Sequence, residues 1–250
     1  MDDHFVPPAY YARPRFLGVG RTREWWTVLH PPYTLLHLSL VTLGACISGP
    51  VNLARLGTTV AAFFLAVGIG AHSLDELHGR PLGTTLPSWE LALAAVVSLG
   101  AAATLGVVGV FIVSPWLALF IVVGITVAVG YNLELFDARL HTRAVVVLSW
   151  GSFPVLTAYF AQHRDLSVAA VLAAGFGALI TLAQQQLSTP ARDLRRRTLD
   201  VEGVAHRLDG TRVAIDVETI LAPLESALKT LCRAGPLLAL SLLLARLLHP

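Results

Sequence analysis

In the stretch AHSLDELHGRPLGT (residues 71–84), His72, Asp75 and Glu76 stand at i, i+3 and i+4. That spacing sets an imidazole and two carboxylates on one helical face. Ionised carboxylates side by side repel one another unless a cation or hydrogen-bond donors sit among them. Hard oxygen ligands suit Mg²⁺, and a neighbouring imidazole suits iron or manganese as well. His72, Asp75 and Glu76 are therefore the expected cation ligands, with a solvated helix end as the plainer alternative. A second polar stretch, AQQQLSTPARDLRRR (residues 183–197), ends a long charge-free run. Glutamines at that depth are costly against lipid, so Gln184 and Gln185 are expected to face the interior and line a pocket. Ser188 and Thr189 continue their stripes towards Arg192 and Asp193. The planar guanidinium groups of Arg192 and Arg196 suit phosphate oxygens, although charge that stops a helix at the membrane surface explains the cluster equally well. A third junction, YNLELFDARLH (residues 131–141), places Tyr131 and Asn132 at membrane depth.

The elements that position these residues are membrane helices. Of 250 residues, 55% are hydrophobic and 14% charged, and the mean hydropathy is +0.67. Soluble domains carry about 25% charged residues. Charge-free runs predict helices over 33–50, 56–73, 91–112, 116–131, 144–161 and 167–187, with Ser114-Pro115 dividing a run too long for one crossing. Residues 218–249 combine an amphipathic first part with a short apolar second part. The expectation is thus an all-α, polytopic transmembrane bundle of seven to eight helices. Residues 1–30 form a cytoplasmic N-terminal segment and residues 31–250 a single transmembrane domain. With the N-terminus inside and eight spans, 14 of the 18 basic residues fall on the cytoplasmic side, as the positive-inside rule favours. Cys46 and Cys232 have no metal-ligand spacing and read as packing residues. The first residues carry no apolar run of the signal-peptide type.

This orientation gathers every polar junction at the cytoplasmic face, a layout unsuited to a pore, which needs polar groups along a whole path. An enzyme or binder in the cell membrane, acting on a lipid and not on nucleic acid, fits better.

The layout resembles the UbiA-type intramembrane prenyltransferase superfamily. The first motif of that family, Asn-Asp-x-x-Asp followed by Arg-Pro-Leu, corresponds to Ala71-His72-Ser73-Leu74-Asp75 followed by Arg80-Pro81-Leu82. The stretch YNLELFDARLHTRAVVVLSWGSFPVLTAYFA is similar to the family's helix 4–5 segment, and STPARDLRRR stands where its second acidic motif would be. The resemblance covers residues 30–197. It implies an isoprenyl diphosphate substrate held through Mg²⁺, ionised, and used to alkylate an acceptor. On that reading Asp75 and Asp193 stand at the family's acidic motifs, and with Glu76, which has no clear family counterpart, they are the expected catalytic acids. Arg80, Arg192 and Arg196 engage diphosphate, with Gln184, Gln185, Tyr131 and Asn132 in the substrate pocket. The sequence departs from the family at Ala71 and His72 and in having few acids at the second motif.

Two other readings use the same residues. His30, His37, His72, His78 and His141 with Asp75 and Glu76 suggest an iron site for lipid oxidation. A non-catalytic membrane binding or scaffold protein with a decayed prenyltransferase-like site is the third.

Overall fold

The computed structural model describes residues 7–47, 49–135 and 137–248; the first six residues of the expected N-terminal segment lie outside this range. A short helix α1 (Arg21–Val28) precedes α2 (Pro31–Cys46). The chain continues through α3 (Leu53–Leu77), α4 (Ser88–Ile112), α5 (Leu117–Asn132), α6 (Arg143–His163), α7 (Val168–Arg197) and α8 (Val217–Leu248). Five of these, α3, α4, α6, α7 and α8, are long and apolar enough to cross a membrane, and α5 is a shorter apolar helix. The protein is helical apart from a two-stranded antiparallel hairpin, β1 (Gly203–His206) and β2 (Arg212–Ile215).

The six charge-free runs all become helices, because a segment surrounded by hydrocarbon must satisfy its backbone internally. The last segment is one continuous helix despite Pro223 and Pro236. Its face packs along α2, where Leu36 and Ser39 lie against Gly235. Large apolar side chains cover the outside of the bundle: Phe111 is 84% exposed and Leu172 is 70% exposed. Such an apolar exterior suits lipid and not water. Trp89 opens α4 and Trp116 follows its far end, both largely exposed. At 1.5 Å per residue they sit roughly 35 Å apart along the axis, close to the separation of two membrane interfaces.

Close helix contact comes from small residues. Gly151 on α6 and Gly177 on α7 meet backbone to backbone, and a Cβ on either would collide with the other's carbonyl. The Ser152 hydroxyl donates to the Ala174 carbonyl at 2.9 Å across the same crossing. Small residues let membrane helices approach this closely.

Two helices carry wide, π-type turns: Phe64–Ala71 within α3 and Val147–Ser152 within α6. Such turns concentrate at functional sites. In α6 the following Pro154 lacks an N–H, which leaves the Trp150 carbonyl without its α-helical donor. The His37 imidazole on α2 replaces that donor, with Nδ1 3.0 Å from the carbonyl oxygen.

Candidate functional site

The N-terminal segment, the α3–α4 loop, the α5–α6 loop and the α7–α8 connection all lie at one end of the bundle. There the end of α3 presents His72 and Asp75, preceded by a π-type turn. Asp75 is partly buried. Its charged neighbours are Arg192 and Arg196 from α7, Glu76 from its own helix and His141 from the α5–α6 loop. Tyr131, at the end of α5, lies within the field of Asp75, Arg192 and Glu134. It stacks on His141 with centroids 4.4 Å apart and touches the Trp150 ring at 5.1 Å. Arg192 and Arg196 are one helical turn apart, so both guanidinium groups serve the same side of α7.

The remaining expected residues divide between this site and its scaffold. Gln184 is buried and donates to the Ser188 hydroxyl at 3.3 Å, and Gln185 donates to Gln184 at 3.5 Å. Glu76 is fully buried, but its carboxylate turns into the α3–α4 loop. It accepts from the Leu82 N–H at 2.9 Å, the Thr84 N–H at 2.9 Å and the Thr84 hydroxyl at 2.7 Å. Arg80 braces the same loop, donating to the Leu86 carbonyl at 2.6 Å and the Ser88 hydroxyl at 2.8 Å. Asn132 is buried and donates to the Ala128 carbonyl of its own helix at 2.6 Å. Asp193 is exposed and pairs with Arg197 at 3.8 Å. Thus Asp75, Tyr131, Arg192 and Arg196 converge, while Glu76, Arg80 and Asn132 hold the surrounding backbone.

Sequence reasoning missed the residues that cover this end. Residues 7–12 run across it as a strap. Arg195 donates to the Pro7 carbonyl at 3.3 Å and Arg196 to the Pro8 carbonyl at 3.1 Å. Tyr11 is buried, packs on Tyr33 at 5.3 Å and hydrogen-bonds His30 Nδ1. Burial, with the neighbouring His72, Arg196 and Arg192, holds the His30 imidazole well below its ordinary pKa. Burial likewise pushes the Tyr11 phenol well above its own. Both groups are therefore neutral and are joined by one hydrogen bond between the phenol oxygen and Nδ1. The aromatic pair in PPAYY, upstream of the His-Pro-Pro helix start, was the available signal. Arg195 is also fixed by the Glu225 carboxylate on α8, at 2.9 Å for one of the two contacts.

The His30 and His72 rings lie 4.4 Å apart between centroids, their planes tilted by 54°. His37, His78 and His141 do not join this pair. His78 and His141 approach Glu134 at 3.9 and 3.7 Å, while His37 lies deeper, against Phe63 and Trp150. Among the described residues, no three His, Cys, Asp or Glu side chains group as a metal cluster.

An apolar cavity of about 470 Å³ opens between α3, α4, α5 and α6. Phe63, Gly106, Phe120, Ala128, Trp150 and Phe153 are among its walls. It follows α3 from Ala54 to Val67, roughly 20 Å of helix. Trp150 links the two features, because it lines the cavity and touches Tyr131 beside Asp75. A polar head group beside Arg192 and Asp75 and an apolar chain in the cavity are thus compatible with one amphiphilic molecule. Compared with protein-family models, curated proteins and solved structures, the chain matches none.

Proposed function

We propose that this protein is a divergent, UbiA-like membrane enzyme that transfers a prenyl group from an isoprenyl diphosphate. The carrying observation is the junction at Trp150: Asp75, Arg192 and Arg196 stand on one side of it, an apolar cavity on the other. In this reading Arg192 and Arg196 take the diphosphate oxygens, for which paired guanidinium donors are suited. Their positive charge is placed where negative charge develops on the departing diphosphate. The cavity accepts the isoprenoid chain and keeps it dry, and Tyr131 and Trp150 separate chain from head group.

The donor set fits one Mg²⁺, with Asp75 as the protein ligand and substrate phosphates supplying the rest, a common arrangement for this ion. Such an ion would supply charge neutralisation to the diphosphate. Glu76 and Asp193 do not join that set: one is engaged by the α3–α4 loop, the other by Arg197. Asp75 itself positions the head group and balances the two arginines.

In this reading α2 to α8 cross the cell membrane seven times, with the N-terminus and the polar end cytoplasmic. The basic residues concentrated at that end support it. A lipid-binding role without catalysis is the second reading, favoured by the single available carboxylate. Asp75→Ala in purified, folded protein tests the proposal: turnover of an isoprenyl diphosphate is expected to be abolished. Unchanged turnover in that variant would contradict it.

A further inference from the structure

Among the described residues, the wall of the apolar cavity carries a single charged side chain, Arg55. It stands near the start of α3, and Asp75 lies roughly 30 Å further along the same helix. That distance is about the thickness of a hydrocarbon core, so the two groups mark opposite ends of the bundle. Arg55 has one structural duty: its Nη1 donates to the Ala161 carbonyl at 3.3 Å and to the Gln162 carbonyl at 2.9 Å. These are among the last carbonyls of α6, where a cation is favoured. The rest of the guanidinium is uncommitted. Among the described residues none accepts from Nε or Nη2, and no carboxylate pairs with Arg55. Thr58, about one turn further on, also lines the cavity. Its hydroxyl has no partner among the described residues either.

The chemistry of a ligand for this end follows from these surroundings. Spare guanidinium N–H groups beside a hydroxyl call for an anion with several oxygens, and a planar guanidinium suits phosphate. Beyond them the wall is apolar along roughly 20 Å of α3, which calls for an extended hydrocarbon chain. Val108 and Ile112 on α4 and Leu148 on α6 belong to this wall and are also exposed on the apolar exterior. The cavity therefore opens sideways to the hydrocarbon, where a second chain can stay. We infer that Arg55 is the head-group site for a phosphate lipid of the surrounding bilayer, one chain of which enters the α3–α6 cavity. A lipid seated this way points opposite to an isoprenyl diphosphate held at Arg192 and takes the same volume, so the two compete. The inference rests on the cavity as a lipid site, and not on diphosphate or Mg²⁺ binding at Asp75.

The test uses the full-length protein in a nonionic maltoside detergent without Mg²⁺. Oleoyl lysophosphatidate and monoolein, which share a chain and differ in the phosphate, compete against a fluorescent monoacylglycerol. Wild-type protein is expected to favour the phosphate lipid at least about tenfold, the scale of one charge-assisted contact. Arg55→Gln is expected to bind the two equally, and the double variant Arg192→Ala/Arg196→Ala to keep the full preference. Equal binding by the wild type overturns the inference, and so does a preference that survives in Arg55→Gln. Should that variant fail to fold, a photoreactive diazirine at the far end of the oleoyl chain decides in the wild type. The label is expected near Ala128 and Trp150; label confined to Ala54 and Thr58 would reverse the lipid and overturn the inference. A preference lost in the double variant and kept in Arg55→Gln would move the head group to the Asp75 end, overturning this inference while leaving the transfer reading standing. Failure of an isoprenyl diphosphate to bind, with the Arg55 preference intact, would refute the transfer reading alone.

Discussion

Glu76 is where the sequence pattern and the three-dimensional contacts make the most sharply different demands. As a cation ligand it would need a free carboxylate. In the fold it is 0% exposed, and both oxygens are taken by the α3–α4 loop. Hydrogen bonds to a charged group contribute about 1.5–3 kcal/mol each, and a buried group left unsatisfied costs about 1–3 kcal/mol. In Glu76→Gln, the amide oxygen can keep the Thr84 contacts while the amide nitrogen meets the Leu82 N–H. One charge-assisted bond is lost and two are weakened, for a local cost of about 2–3 kcal/mol. Glu76→Ala strands two N–H groups and a hydroxyl, for about 4–6 kcal/mol. Amide hydrogen exchange at Leu82 and Thr84 reads this directly. A loss of 2–3 kcal/mol raises exchange by roughly 30–150-fold where opening is local. The effect is expected with or without Mg²⁺. Unchanged protection at both amides in Glu76→Ala would refute the assignment of Glu76 as the loop's anchor.

Three further outcomes are expected. Gly177→Leu should separate α6 from α7 and lower the thermal midpoint in detergent, since overpacking costs about 1–3 kcal/mol or more; an unchanged midpoint would mean that the Gly151–Gly177 contact is not close. For His30, whose pKa is lowered in the folded chain, the unfolded state binds more protons below about pH 6.5, so stability falls as pH drops through that region towards the lowered value. The midpoint should accordingly fall between about pH 7.5 and about pH 5.5, and fall less in His30→Gln; equal pH dependence in the two would refute the neutral Tyr11–His30 pair. Ala128→Phe should fill part of the cavity and shorten the longest isoprenoid chain bound, measured by competition across a chain-length series, whereas an unaltered series would place the chain elsewhere.

Most of the helical layout was legible because long charge-free runs leave little choice to a backbone in hydrocarbon. The α3 face bearing His72 and Asp75 was legible from i, i+3 spacing, and so was the turn that pairs Arg192 with Arg196. The fate of Glu76 was not, because it depends on a loop folding back through Leu82 and Thr84. Helical spacing fixes where a side chain starts and leaves its long-range partners open. Tyr11 was hidden for a similar reason: its contact with His30 spans 19 residues and requires the strap held by Arg195 and Arg196. The hairpin was signalled weakly by Asp209-Gly210, a turn pair, where Gly210 takes φ +82° and Asp209 accepts from the Thr211 N–H at 2.9 Å. The cavity left no sequence signal, because apolar residues that line a cavity and those that face lipid look alike in the sequence.

Titration of purified protein with a non-hydrolysable isoprenyl diphosphate analogue, with and without Mg²⁺, tests the central claim most directly. Saturable binding that strengthens with Mg²⁺ is predicted, with at least a tenfold loss in Asp75→Asn and in Arg192→Ala, on the scale of one charge-assisted contact. Binding that ignores Mg²⁺ and is unchanged in both variants would contradict it.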